Sequence, residues 1–95
     1  MIQVLPWNLL KEIIKQKKNM EAKFLEMISN VLEIEDKALA MSDVFREYDE
    51  WDSLARLSLI AEIDDVYNIV IEDEVFKTLI TLDDLYNEIN KRVQA

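Results

Sequence analysis

The chain contains no histidine, no cysteine and no glycine, and a single proline, and these gaps exclude more chemistry than any motif in it establishes. Without Cys or His there is no thiolate nucleophile, no Ser-His-Asp relay and no ordinary zinc site, because each needs a soft ligand or a base that titrates near neutrality. Without Gly no loop can close its backbone around a phosphate, so the Walker and dinucleotide fingerprints are ruled out, as is the glycine turn of an EF-hand. Zero Cys also means no disulfide framework. Basic residues are scarce: 11 against 20 acidic ones, a net charge of −9. Such a surface repels nucleic acid and favours partners that present Lys or Arg. The longest apolar runs fall far short of the ~20 residues that span a bilayer. The opening MIQVLPWNLL has neither the basic n-region nor the cleavage site of a signal peptide. A cytoplasmic protein without stable membrane insertion is expected.

What is present suits one small domain: 95 residues, 51% hydrophobic, with room for a single core. The charge is uneven. Residues 1–19 hold Lys11, Lys15, Lys17 and Lys18 against Glu12 alone, a charge of +3, which leaves −12 for residues 20–95. This divides the chain into a basic amphipathic extension, 1–19, and an acidic domain, 20–95.

Apolar residues at Leu9, Leu10, Ile13 and Ile14 predict a short helix over 8–18, with Asn8 as its N-cap. The pattern restarts at Met20, and Phe24, Leu25, Met27, Ile28, Val31 and Leu32 predict a second helix over 20–33 with a core-facing stripe. A polar stretch from Glu33 to Asp52 follows, with Leu39, Met41, Val44 and Phe45 as anchors; loops this long inside a compact domain are usually functional. A helix is predicted over 53–67, capped by Asp52 and ended by Asn68, the best substitute for glycine at a left-handed C′ position. Ile69-Val70-Ile71 reads as a buried connector, residues 72–79 as a short acidic turn with Val75, Phe76 and Leu79, and Thr81 with Asp84 as a capping box before a helix over 82–93. The fold class is all-α, a small bundle.

Asp52-Ser53-Leu54 places a serine at the first position of an amphipathic helix, where its hydroxyl is exposed. A group esterified to that oxygen would lie against unpaired backbone N–H groups and the positive end of the helix dipole, which suits a phosphodiester. By itself Asp-Ser is also an everyday helix start. On a helical wheel Ala55, Ser58, Glu62 and Asp65 share one face, assigned to partners, while Leu57, Leu59, Ile60, Ile63 and Tyr67 spread around the other, assigned to the core. Trp51 is read as a packing residue that fastens the loop.

Over residues 21–91, and most closely from Trp51-Asp52-Ser53-Leu54 through Glu62-Ile63-Asp64-Asp65-Val66-Tyr67, the sequence resembles the acyl carrier protein family of discrete phosphopantetheine-binding carriers. The resemblance implies a four-helix bundle of three longer helices and a short third one, here with the N-terminal helix or tail added. It implies 4′-phosphopantetheine on Ser53, flanked by Asp52 and Leu54, holding acyl or aminoacyl groups as thioesters for fatty-acid or polyketide-like biosynthesis. The implied protein is a monomeric carrier and not an enzyme. Its implied partners are a phosphopantetheinyl transferase, an acyl-loading ligase and a downstream acyltransferase or condensing enzyme. Ile71 and Thr81 match residues that open the family's third and fourth helices. Glu50 and Asn68 stand where glycines are common, and Ala55, Arg56 and Ser58 stand where fatty-acid-synthesis carriers have acids. The alternative is an unmodified acidic adaptor in which Ser53 merely helps start the helix.

Overall fold

The computed structural model describes residues 6–93, and its order is α1 (Trp7–Leu32), a 3-10 turn (Phe45–Glu47), α2 (Ser53–Tyr67), α3 (Asp73–Phe76) and α4 (Leu82–Val93). The all-α, carrier-like bundle expected from the sequence is what forms.

The two helices expected at 8–18 and 20–33 are instead one helix. Nothing between Lys17 and Met20 can break it: neither Gly nor Pro is there, and the Asn19 penalty of roughly 0.7 kcal/mol is small beside continued hydrogen bonding. Asn8 is not the cap either. Pro6 precedes the helix, its carbonyl accepting the Leu9 and Leu10 amides at 3.0 Å each, and its fixed φ suits the entry. The first core residue of α1 is Phe24; the helix before it stands clear of the core, with Trp7, Leu9, Ile13 and Ile14 exposed.

A chain without glycine must still end its helices, and among the described residues both positive-φ residues stand at helix ends. Glu33 (φ 57°) closes α1: its amide donates to Asn30 O at 3.3 Å and that of Ile34 to Ser29 O at 2.9 Å, the paired bonds of a Schellman motif. Ile34 is buried there and its carbonyl accepts from Ser29 Oγ at 2.5 Å, so burial offsets the strain of a left-handed Glu. Asn68 (φ 60°) closes α2 as expected, through one bond to Asp64 O at 2.8 Å.

The core is built from Phe24, Ile28 and Leu32 of α1, Leu59 and Ile63 of α2, and Leu82, Leu85, Tyr86 and Ile89 of α4, with Ile71, Phe76 and Leu79 between. Each such side chain contributes about 1.5–3 kcal/mol on burial. The acidic turn expected over 72–79 contains the four-residue α3. The long loop crosses the bundle and satisfies α4: Met41 O accepts the Asp83 amide at 2.8 Å and Asp43 O the Leu82 amide at 3.0 Å. Thr81 and Asp84 form the expected capping box, with reciprocal bonds of 3.1 Å. The four orphan amides of that helix start, those of Thr81, Leu82, Asp83 and Asp84, are thus all accounted for, and the Leu85 amide makes the first intrahelical bond, to Thr81 O. Asp43 also takes the Tyr48 hydroxyl at 2.7 Å. Burial first, and that bond second, push the Tyr48 phenol far above its ordinary range.

Candidate functional site

α2 begins where the loop ends, and its first residue is Ser53. Asp52, in extended backbone, accepts the Ala55 amide on Oδ1 at 2.7 Å and the Arg56 amide on its carbonyl at 3.0 Å. The amides of Ser53 and Leu54 have no intrahelical partner by geometry, and Ser53 is exposed. This is an open hydroxyl at the positive end of a capped helix, in surroundings otherwise rich in carboxylates. Asp52, Ser53 and Leu54 are thus together at the helix start, with Leu54 72% exposed.

The loop before it is held by aromatic packing. Trp51 stands edge-on to Phe45 at 5.2 Å and stacks on Phe76 at 6.2 Å with planes 8° apart, the packing role the sequence suggests. The Arg46 guanidinium lies over the Phe45 and Phe76 rings and donates to the carbonyls of Leu79 and Phe76. Arg56, one turn beyond Ser53, pairs with Asp73 at the start of α3, Nη1 to Oδ1 at 2.6 Å. The gap between α2 and α3 is therefore filled by rings beneath and bridged by an ion pair above. No sequence pattern pointed to Arg46 or Arg56; only the fold brings them to these partners, 30 or more residues away for Arg46.

On its other side α2 packs along α1. Beside the serine a recess of about 180 Å³ is lined by Val31, Leu32, Glu50, Ala55 and Ser58 among others. Glu50 Oε1 is buried there without a hydrogen-bond partner; Lys37 Nζ is 3.7 Å away, an ionic contact beyond hydrogen-bond reach. Further along the seam lies a groove of about 390 Å³ between α1, α2 and α4, with Met27, Val66, Tyr67 and Tyr86 in its wall.

The wheel assignment of α2 needs correcting. Ala55, placed on the partner face, is buried, and Ser58 and Glu62 are half-buried, the first in the recess and the second in the groove. Of those four only Asp65 is exposed. Leu57, placed in the core, is 55% exposed. The buried line is Ala55–Leu59–Ile63, so the expected faces are rotated by roughly one residue. Among the described residues no group of acidic side chains could hold a metal ion, and no helix is long and apolar enough to cross a membrane.

A family model described as a phosphopantetheine attachment site matches residues 22–89, from just inside the packed part of α1 to late α4. No solved structure matches the chain.

Proposed function

The chain belongs to the phosphopantetheine attachment site family, whose members are non-catalytic carriers of covalently bound 4′-phosphopantetheine, and from that premise we propose that Ser53 bears the arm and that acyl or aminoacyl groups ride on it as thioesters. One observation supports the choice of Ser53 above all: it is an exposed hydroxyl at the first position of a helix whose cap, Asp52, uses up the third amide and leaves the first two free. Those amides and the helix dipole favour the phosphodiester. Glu50 Oε1 in the neighbouring recess accepts no hydrogen bond from the described residues, its charged neighbour Lys37 standing 3.7 Å away, and is an acceptor for the hydroxyl or amide N–H groups of an arm. The residues present fit the group.

In this reading the chain supplies position and the arm supplies the thiol, which a protein without cysteine cannot. The partners are a phosphopantetheinyl transferase, a loading ligase and an acyltransferase or condensing enzyme. A setting that contains coenzyme A, the cytoplasm, follows. The partner surface we propose is the outer side of α2: Leu54 and Leu57 beside Ser53, then Asp64 and Asp65, with Glu62 at its edge. Small apolar contacts plus charge complementarity give fast encounter and ready release.

The test is intact mass before and after incubation with coenzyme A and a broad-specificity transferase, with Ser53→Ala as control. A gain of one phosphopantetheine, lost in the variant, supports the carrier. A folded protein that gains nothing would leave the unmodified adaptor as the better account.

A further inference from the structure

We propose that the uncovered N-terminal part of α1 is a docking helix for an anionic membrane surface, bound reversibly through Trp7, Ile14 and the lysines Lys11, Lys15 and Lys18. The inference goes beyond the carrier reading and does not depend on it.

This part of the helix lies outside the attachment-site match, which begins at residue 22, and outside the core, whose first α1 member is Phe24. From Trp7 to Phe24 it runs about 25 Å at 1.5 Å per residue. The packed half of α1 supplies the helix nucleus, so the stretch is helical without covering anything.

One side of it is both basic and apolar. Trp7, Lys11, Ile14, Lys15 and Lys18, at the three- and four-residue steps of a helix face, line one patch to which no other element contributes among the described residues. Trp7 is 64% and Ile14 47% exposed, and Lys11 Nζ stands 5.7 Å from the Trp7 ring centre. The nearest carboxylates turn elsewhere. Glu12 is about 100° further round the helix from Lys11, and Glu21 lines a recess against α4 with Asp83 and Tyr86.

Shape and charge select the occupant. The outer side of a lone helix is convex and gives a protein ligand no pocket, whereas a bilayer surface yields to a basic helix that carries Trp and aliphatic anchors. A second copy pairing symmetrically through this side would set lysines against lysines. The acidic domain does not cancel the attraction: Lys18 is about 9 Å and Lys11 about 20 Å along the axis from Phe24, at or beyond the screening length of about 8 Å at physiological salt. The recess beside Ser53 includes Leu32 and Glu33, at the opposite end of α1 and about 37 Å along the axis from Trp7. A chain held by the tip of α1 therefore keeps its serine and the outer side of α2 open to enzymes.

The full chain is mixed with vesicles of phosphatidylcholine alone, or of phosphatidylcholine and phosphatidylglycerol in equal amounts, and binding is read by flotation and by tryptophan fluorescence. Each lysine beside an anionic surface adds roughly fivefold in affinity, so the three give the mixed vesicles an advantage of about a hundredfold. On them the emission should move to the blue, and binding should fade in ~1 M salt, where the screening length is about 3 Å. Trp7→Gln should weaken binding with the lysines intact and should remove the blue shift, which assigns it to Trp7. The triple change Lys11→Glu, Lys15→Glu and Lys18→Glu, all at exposed positions, should leave thermal unfolding as it is and abolish flotation. A folded native chain that fails to float with the mixed vesicles at low salt, or flotation that survives the triple change, would overturn the proposal. So would a dimer in sedimentation velocity that the triple change dissolves while no vesicle binding is seen, which would give this face to a second copy.

Discussion

Phe76 is the residue on which the closed α2–α3 gap depends, and truncating it measures how tightly that gap is filled. Its ring is 1% exposed, lies 5.7 Å from Phe45 and stacks on Trp51, while its carbonyl accepts from Arg46 at 2.6 Å. Phe76→Ala removes the ring and leaves the backbone acceptor, so the loss is one of packing. Fully buried Phe→Ala changes cost about 3–5 kcal/mol. A domain of this size has a total stability of roughly 5–14 kcal/mol at 0.05–0.15 kcal/mol per residue, so a large fraction goes. Phe76→Leu, which keeps most of the volume, should cost about 1–1.5 kcal/mol. In urea, with a slope of about 1–3 kcal/mol/M, the alanine variant should unfold at least 1 M earlier than the native chain and the leucine variant should fall between them. If Phe76→Ala costs less than about 1.5 kcal/mol, the neighbouring rings collapse into the vacated space or the gap was never tightly filled. The reading of that gap as filled by stacked rings would then fail.

Four further outcomes follow from the helix ends and one ion pair. Arg92 donates to both Glu72 oxygens at 3.1 and 2.8 Å, and chiefly through those bonds the Glu72 carboxyl is held at about 2, below its ordinary 4.5. A depressed carboxyl stabilises the fold above its unfolded value and loses that contribution as pH falls. The difference in Tm between the native chain and Glu72→Gln should therefore be constant above pH 4.5 and fade between 4.5 and 2 in a low-salt pH series; a difference that persists at pH 2 would refute the assignment. Asp52→Ala removes the cap bond to Ala55 and should cost about 1 kcal/mol, a Tm fall of roughly 4–8 °C, while Asp52→Asn keeps most of it. Glu33→Gly should raise stability by about 0.5–1 kcal/mol, since a left-handed non-glycine residue costs about 1–2 kcal/mol and glycine returns part of that as unfolded-state entropy. Asn68→Gly, read by the same thermal unfolding, should change little because Asn tolerates that conformation.

The helix termini were readable in the sequence because they rest on local chemistry: Asp52 three residues before the amide it caps, Thr81 and Asp84 in a box, Asn68 where no glycine exists. Ser53 was readable for the same reason. Glu33 was not, because a glutamate carries no signal for a left-handed backbone; the burial of Ile34 beyond it is a tertiary effect that overrides local preference. The continuity of α1 was missed because the apolar pattern does change at Met20. The change comes one turn before the bundle begins to cover the helix at Phe24, and hydrogen bonding along the backbone continues regardless.

The misplaced faces of α2 have a different origin, and one that bears on function. Its apolar residues lie all around it: Leu54 and Leu57 outward, Leu59 and Ile63 inward, Ile60 and Val66 to the sides. A helix apolar on every side gives periodicity nothing to choose by, so only its neighbours decide which residues are covered. They cover Ala55, Leu59 and Ile63, and that choice turns Ser58 and Glu62 toward α1 and leaves Leu54 and Leu57 bare next to the serine. In the reading proposed above, one side of α2 serves the core and another the passing enzymes, which leaves no conventional polar face to spare. The ambiguity that defeats the wheel is what that reading expects of a helix used on more than one side.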